Sequence, residues 1–159
     1  MRILIIGDTH AQDDLFLRVL AKERGFDVLL HTGDFEGSEL VYRELSGTPF
    51  YYVAGNNDFF TDAPFERVIE LESCRIYMSH GHRQNVFEGN DEIVKEAARR
   101  RAQIAVFGHS HHPVAKIERG ILLLNPGSLA WPRQENHKPS YIVLDLRDKK
   151  AEFFEIRYL

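Results

Sequence analysis

Apolar runs of strand length alternate with amphipathic stretches in the first third of the chain. Residues 3–6 and 27–31 are short and largely apolar, as expected of buried strands. Residues 11–24 place apolar side chains on one helical face, with acidic residues in the first turn. This order predicts a right-handed crossover between two parallel strands. A short helix capped by Ser38 and a third strand over residues 49–53 extend the unit.

Beyond residue 66 the pattern changes to strands that are joined by tight turns. We predict strands at residues 68–71, 75–79, 104–107, 114–118, 121–124, 141–146 and 152–156. A helix is expected to begin at the capping residues Asn90 and Asp91. The residues alone therefore indicate one α/β domain over residues 1–159, with parallel pairing early and antiparallel hairpins late.

Composition bounds the possible functions. The 159 residues are 43% hydrophobic and carry a formal net charge of −4, so no global positive field is present to gather nucleic acid. Arginines 99–101 fall at a predicted helix C-terminus, where positive charge complements the helix dipole. The single cysteine, Cys74, suits a reducing compartment, and no apolar run is long enough to cross a bilayer. We therefore predict a cytoplasmic protein without membrane or stable nucleic-acid binding.

Five predicted strands end in motifs rich in Asp, Asn and His, namely Gly-Asp-Thr-His, Gly-Asp, Gly-Asn-Asn-Asp, His-Gly-His and Gly-His-Ser-His. The candidate ligands within them are Asp8, His10, Asp34, Asn56, His80, His109 and His111. Each motif alone is common in turns, but ligands gather beyond the carboxyl ends of strands in open α/β sheets, so their joint occurrence indicates a shared site. Carboxylate, imidazole and amide donors without a cysteine cluster suit Mn, Fe, Zn, Ni or Co.

These seven donors exceed the needs of one tetrahedral ion, and they suffice for two ions that share a carboxylate. Two divalent ions against two carboxylates leave a net positive charge, which attracts a phosphate group. A hydroxide held by both ions is a nucleophile at neutral pH, and the ions neutralise charge on the phosphoryl oxygens. The donor set therefore favours hydrolysis of a phosphate ester.

On these motifs, the sequence from residue 3 to about residue 146 resembles the calcineurin-like metallophosphoesterases, and among them the small YfcE-type phosphodiesterases. The resemblance implies a sandwich of two mixed β-sheets with flanking helices. It assigns Asp8, His10 and His111 to one metal, Asn56, His80 and His109 to the second, and Asp34 to the bridge. It implies a small phosphodiester as substrate, and we expect Mn to be the most effective ion, with Ni, Fe, Zn or Co as alternatives.

One position departs from the pattern of larger family members, which carry a histidine where this chain has Asn57. An amide cannot act as a general acid, so we expect slow turnover of poor leaving groups, or His82 in that role. Alternatively, His82 binds a backbone carbonyl. Asn57 and His82 are the candidate catalytic residues, and these two with Arg133 are the candidate substrate contacts. Arg133 and His137 are alternatively assigned to the interface of a homo-oligomer.

Several further residues near the motifs receive positioning or structural roles. Asp58 is expected to orient a neighbour, and Asn125 to shape the wall of the site, as a similar Asn-Pro-Gly-Ser turn does in small relatives. His31 and His112 are expected to be hydrogen-bonded structural residues. Trp131 is either part of a lid or a dimer contact.

Two other functions compete with a small phosphodiesterase. A non-catalytic scaffold like Vps29 has a similar fold but lacks part of the ligand set, whereas every ligand position is filled here. A phosphomonoesterase or protein phosphatase ranks lower, because so short a chain has little material for a lid or a peptide groove.

Overall fold

The strands and helices form in the predicted order in a computed structural model, which describes residues 1–159. The elements are β1 (Arg2–Ile6), α1 (Asp13–Lys22), β2 (Val28–His31), α2 (Glu39–Ser46), β3 (Phe50–Tyr52), β4 (Glu66–Leu71), β5 (Cys74–Ser79), α3 (Asp91–Arg99), β6 (Ile104–Val106), β7 (Val114–Glu118), β8 (Ile121–Asn125), β9 (Ser140–Arg147) and β10 (Lys150–Tyr158). A short 3₁₀ helix at His82–Gln84 follows β5. None of the helices is long and apolar enough to span a membrane.

The strands form two mixed five-stranded sheets. The first has the order β10-β9-β1-β2-β3, in which β1, β2 and β3 are parallel and β9 and β10 are antiparallel additions. The second has the order β4-β5-β6-β8-β7, with β5, β6 and β8 parallel and a hairpin at each edge. The predicted parallel pairing of the first strands and the late hairpins are both confirmed.

The main core lies between the two sheets, because each sheet is apolar on the face that it turns toward the other. Ile5 and Leu30 from the first sheet pack in one cluster with Ile76 and Val106 from the second. On the outer faces, α1 and α2 cover the first sheet and α3 covers the second, through these side chains: Phe16, Val19, Tyr42, Ile93, Val94 and Ala97. The fold is therefore the predicted sandwich of two mixed sheets with flanking helices.

The expected side-chain caps of α2 and α3 are wrong. Neither Ser38 nor Asn90 makes a capping hydrogen bond. A capping side chain requires an extended backbone, whereas Ser38 has φ −85° and ψ 2°, and Asn90 has φ −100° and ψ 0°. Both residues are already close to helical geometry, so their side chains do not reach back to the first turn.

The polar motifs follow the carboxyl ends of β1, β2, β3, β5 and β6. Parallel strands within one sheet end at the same edge, and the two sheets are packed face to face. The loops after these strands therefore converge at one end of the sandwich, as the sequence predicts.

Candidate metal centre

Asp8 and Asp34 are buried side by side at the ends of β1 and β2, with exposed fractions of 0% and 1%. Oδ1 of Asp8 lies 3.0 Å from Nε2 of His111 and 3.9 Å from Nε2 of His80. Oδ2 of Asp34 lies 3.5 Å from Nε2 of His80 and 3.8 Å from Nε2 of His10. The two carboxylates therefore face the same group of imidazoles.

The remaining predicted ligands complete the cluster on its open side. Nε2 of His80 lies 3.1 Å from Oδ1 of Asn56 and 3.2 Å from Nδ1 of His109. The backbone N–H of His109 donates to Oδ2 of Asp8. Asn56 is exposed, so the cluster reaches the surface there. The structure thus brings all seven predicted ligand residues together. The donor atoms of Asp8, His10 and His111 lie within 4.8 Å of one another, and so do those of Asp8, Asp34 and His80.

Three of the histidines use Nδ1 for a hydrogen bond that points away from the cluster. The pairs are His10 with Oε1 of Glu36 at 2.7 Å, His80 with the Thr32 carbonyl at 2.8 Å, and His111 with the Trp131 carbonyl at 2.9 Å. Carboxylate and carbonyl oxygens only accept, so Nδ1 carries the proton and Nε2 presents its lone pair to the cluster. Histidines that bind metals are held in this way.

The donor set fits divalent cations. Oδ1 of Asp8 and Nε2 of His10 are buried and have no hydrogen-bond partner. Buried polar atoms normally have partners, and leaving them unpaired is costly. Nε2 of His111 lies 3.0 Å from Oδ1 of Asp8, a contact that needs either a second ring proton or a cation shared by the two atoms. Divalent cations held by these donors would satisfy them.

Electrostatics around Asp8 favour positive charge beside it. Burial works to raise the pKa of Asp8, but the nearby His80 and His111 rings hold it below its ordinary value. Burial works to lower the pKa of His111, and the adjacent Asp8 carboxylate raises it above its ordinary value. For His109, burial and the neighbouring His80 lower the pKa to about 4, which keeps this ring neutral.

The loops that carry the ligands adopt unusual backbone conformations. Five of the seven ligand residues have positive φ, namely Asp8 at 48°, His10 at 44°, Asp34 at 56°, His109 at 67° and His111 at 60°. A non-glycine residue in this region costs on the order of 1–3 kcal/mol, and such residues cluster at functional sites. The strained turns aim consecutive polar side chains into one small volume.

Two glycines leave space for the carboxylates. A Cβ at Gly55 would lie 2.0 Å from Oδ1 of Asp34, and one at Gly108 would lie 2.6 Å from Oδ2 of Asp8. Neither approach is possible for a larger residue without moving the carboxylate. Close packing therefore requires glycine at these two positions.

Asp58 holds the Asp34 turn, as the sequence predicts. Its carboxylate accepts backbone N–H groups from Asp34, Phe35, Glu36 and Gly55, at 2.8–2.9 Å. Three of these hydrogen bonds fix the turn in which Asp34 has positive φ, and the fourth, from Gly55, lies within the loop of Asp58 itself. Asp58 thus orients Asp34 through the main chain.

Asn57 contacts Asp34 directly. Its backbone N–H donates to Oδ1 of Asp34 at 2.9 Å, and its Nδ2 donates to Oδ2 at 2.7 Å. The amide is therefore engaged in holding the carboxylate. Whether Asn57 also contacts substrate or assists catalysis stays a prediction.

His82 lies against the histidine cluster, with its ring centroid 5.4 Å from His80 and 6.0 Å from His109. Its Nδ1 is buried without a hydrogen-bond partner, so the alternative of a bond to a backbone carbonyl is wrong for this atom. Burial and the neighbouring His80 and Arg83 lower its pKa. The proposed catalytic role of His82 stays a prediction.

The other predicted residues divide between the site and the surface. Arg133 is exposed, and its guanidinium lies 5.5 Å from the ring centroid of Phe87, which in turn contacts His109. His137 is exposed and contacts only its own loop, with Nδ1 3.3 Å from the Pro132 carbonyl. Trp131 lies on His10, with a centroid separation of 3.9 Å.

The structural roles of Asn125 and His31 agree with expectation, whereas that of His112 does not. Nδ2 of Asn125 donates to the Gly108 carbonyl and thereby supports the loop that carries His109. His31 accepts the Gly33 N–H, and burial lowers its pKa to about 3. His112 is exposed and its ring makes no hydrogen bond, because its loop turns outward after His111.

Sequence reasoning missed Glu36 and Phe87. Glu36 contacts His10, and Phe87 packs its ring 4.8 Å from that of His109. The only available signal for Glu36 was a carboxylate two residues after Asp34 in a glycine-flanked turn. Nothing in the sequence around Phe87 indicates its contact.

Comparison with known proteins agrees with this geometry. Residues 1–149 match the family model described as the calcineurin-like phosphoesterase superfamily domain. The chain belongs to the calcineurin-like phosphoesterase superfamily. As a member of this superfamily, the protein is a phosphoesterase. The superfamily uses divalent metals, and the candidate metal ligands of this chain lie together.

Individual relatives match different shares of this chain. The probable metallophosphoesterase YsnB of Bacillus subtilis is 34% identical over 153 residues, which are 95% of this chain and 88% of YsnB. The phosphodiesterase YfcE of Escherichia coli is 35% identical over 83 residues, 52% of this chain and 40% of YfcE. A structure of Vps29 from Entamoeba histolytica complexed with Zn²⁺ superposes with a TM-score of 0.81, covering 100% of this chain and 98% of Vps29, at 22% identity, and so shows the fold alone.

Proposed function

We propose that this phosphoesterase is a dinuclear metal-dependent phosphodiesterase that hydrolyses small phosphodiesters. The observation that carries the proposal is the position of Asp34, whose Oδ2 lies 3.8 Å from Nε2 of His10 and 3.5 Å from Nε2 of His80. One carboxylate between two groups of donors can serve two ions at once. In this proposal Asp8 and His111 join His10 as ligands of one ion. Asn56 and His109 join His80 as ligands of the other ion, and Mn²⁺ is the expected metal.

When bound, two divalent ions supply an activated water nucleophile and neutralise charge on the phosphoryl oxygens. The protein's own contribution is preorganisation, because donors that are already oriented need not rearrange during the reaction. Glu36 and the carbonyls of Thr32 and Trp131 fix three imidazole rings. Asn57 fixes both oxygens of Asp34.

One comparison favours a diester over a monoester. The similar protein YfcE is named as a phosphodiesterase. This name supports a phosphodiester as substrate.

Hydrolysis of bis(p-nitrophenyl) phosphate by the Mn²⁺-loaded protein tests the proposal. Asp34→Asn removes the bridging charge, and we expect it to lower the rate by on the order of a hundredfold. Asp14→Asn makes the same chemical change at an exposed position in α1, and should keep the wild-type rate. Equal rates for wild type and Asp34→Asn would show that the bridging assignment is wrong. Faster hydrolysis of p-nitrophenyl phosphate than of the diester would favour a phosphomonoesterase instead.

The alternative is a non-catalytic scaffold of the Vps29 type. A scaffold has no need of a complete ligand set, yet all seven positions hold metal-competent side chains that converge. This completeness supports the enzyme. An absence of turnover in protein shown to contain two ions per chain would favour the scaffold.

A further inference from the structure

Exposed aromatic side chains surround the candidate metal centre. Six phenylalanine or tryptophan side chains are exposed, and all but Phe153 lie beside this centre. Phe65 contacts His82, Phe87 contacts His109, and Trp131 contacts His10. The other two, Phe59 and Phe60, are 77% and 102% exposed. Such a concentration of exposed apolar rings marks a binding surface.

Phe59 and Phe60 lie at a cavity of about 310 Å³ between the Asp34 turn and the loop after β3. Its lining includes Phe35, Glu36, Asn57, Phe59, Phe60 and Thr61. Two of these residues also belong to the walls of the metal centre, because Asn57 donates to Asp34 and Glu36 contacts His10. A group bound in the cavity would therefore be adjacent to a phosphate at the metals.

We propose that this cavity binds the base of a nucleoside phosphodiester, so that small nucleotide diesters are the preferred substrates. The inference rests on the proposed phosphodiesterase function. Aromatic side chains stack on the face of any base, while polar neighbours pair with its edge. Phe59 and Phe60 supply the faces. Nδ2 of Asn57 and Oγ1 of Thr61 already bond Asp34 and the Ala63 N–H, which leaves the Asn57 side-chain carbonyl oxygen as an acceptor and the Thr61 hydroxyl as a donor. A lipid chain would instead bring hydrocarbon against the Glu36 carboxylate that lines the cavity, which is unfavourable.

The charge around the cavity restricts the size of the nucleotide. Glu36 and Asp58 line it, and Asp62 is exposed on the same loop. A polynucleotide needs several Lys or Arg contacts along its phosphates, and none lines this cavity. The preferred substrates are therefore cyclic nucleotides, dinucleotides or single nucleotide esters.

Two esters with the same leaving group test the inference in the Mn²⁺-loaded protein. Adenosine 5′-(p-nitrophenyl phosphate) carries a base, and ethyl p-nitrophenyl phosphate does not. We expect wild type to prefer the adenosine ester by about tenfold or more in kcat/KM, the effect of one stacked base. The double variant Phe59→Ala/Phe60→Ala should lose that preference. Phe153→Ala, an exposed phenylalanine of β10 at the other end of the sandwich, should keep it.

Binding supplies a second readout that needs no turnover. In calorimetric titrations, wild type should bind adenosine 5′-monophosphate about tenfold more tightly than ribose 5-phosphate, and the double variant should bind both about equally. Hydrolysis of the ethyl ester without a base preference, or a preference that survives in the double variant, would overturn the inference and leave the proposed function standing. Failure of the wild type to hydrolyse either ester would overturn the proposed function, and the inference with it.

Discussion

The imidazole Nδ1–H of His10 donates to Oε1 of Glu36 across 2.7 Å. The two residues follow different strands, β1 and β2, and their side chains are 2% and 37% exposed. This bond turns Nε2 of His10 toward Asp34 and Asp8. Glu36 is therefore a positioning residue for a candidate metal ligand.

The first prediction concerns Glu36. Glu36→Ala should weaken Mn²⁺ binding by about 10- to 100-fold, because the ring of His10 is no longer held. Glu36→Gln keeps an acceptor oxygen and should recover most of the affinity. Calorimetric titration of Mn²⁺ measures both, with Glu44→Ala, an exposed glutamate of α2, as the control. Unchanged affinity in Glu36→Ala would remove the positioning role.

The second prediction concerns Asp58. Its four accepted N–H groups come from two loops, so Asp58→Ala leaves several partly buried donors unpaired. We expect the free energy of unfolding to fall by about 3 kcal/mol. Urea unfolding of the metal-free protein measures this, and Asp62→Ala on the exposed part of the same loop should change stability by less than about 0.5 kcal/mol. Similar losses in the two variants would contradict the anchoring role.

The third prediction concerns Gly55. An added Cβ collides with Oδ1 of Asp34, so Gly55→Ala should displace the carboxylate and reduce bound metal below two ions per chain. Gly25→Ala is the control, because its added Cβ meets no other atom. Its φ of +78° should lower the free energy of unfolding by about 1 kcal/mol without changing metal content. Elemental analysis after dialysis against Mn²⁺ distinguishes them. Full metal content in Gly55→Ala would contradict the predicted displacement of Asp34.

The fourth prediction concerns stability and pH, far from the metal ligands. Burial works to raise the pKa of Glu23, but hydrogen bonds from Arg157 and Tyr141 hold it below the ordinary value of 4.5. A depressed carboxyl pKa adds stability above the unfolded-state value, and this is lost as pH falls through the folded-state value. Glu23→Gln should therefore cost about 2 kcal/mol at pH 7, and the difference from wild type should shrink below pH 4.5.

Urea unfolding with a chelator present measures the Glu23 effect without a contribution from metal. Glu155→Gln is the control, because this exposed carboxylate also pairs with Arg157. Its effect should be below about 1 kcal/mol, as for other surface pairs. A Glu23→Gln deficit that is constant from pH 7 to pH 3.5 would contradict the prediction.

The sequence predicted the framework of the site because short apolar runs fix both the strands and their ends. Asp8 and Asp34 follow such runs directly, so their meeting required only that β1 and β2 be parallel. The ligand histidines were found for the same reason. His80, His109 and His111 follow β5 and β6 of the second sheet, whose parallel pairing the sequence did not predict.

The remaining contacts depend on side-chain directions that periodicity does not encode. Glu36 reaches His10 from a turn with φ of 51°, a conformation that cannot be inferred from apolar patterning. The failed caps at Ser38 and Asn90 have the same origin, since the residue types were suitable but the backbone was not extended. The aromatic cavity was missed because Phe59 and Phe60 have no periodic neighbours.

The most direct test of the dinuclear centre is anomalous diffraction from crystals grown with Mn²⁺. The account predicts two peaks about 3.5–4 Å apart, with Asp34 between them. One peak should be bound by Asp8, His10 and His111, and the other by Asn56, His80 and His109. A single peak, or peaks elsewhere on the protein, would contradict it.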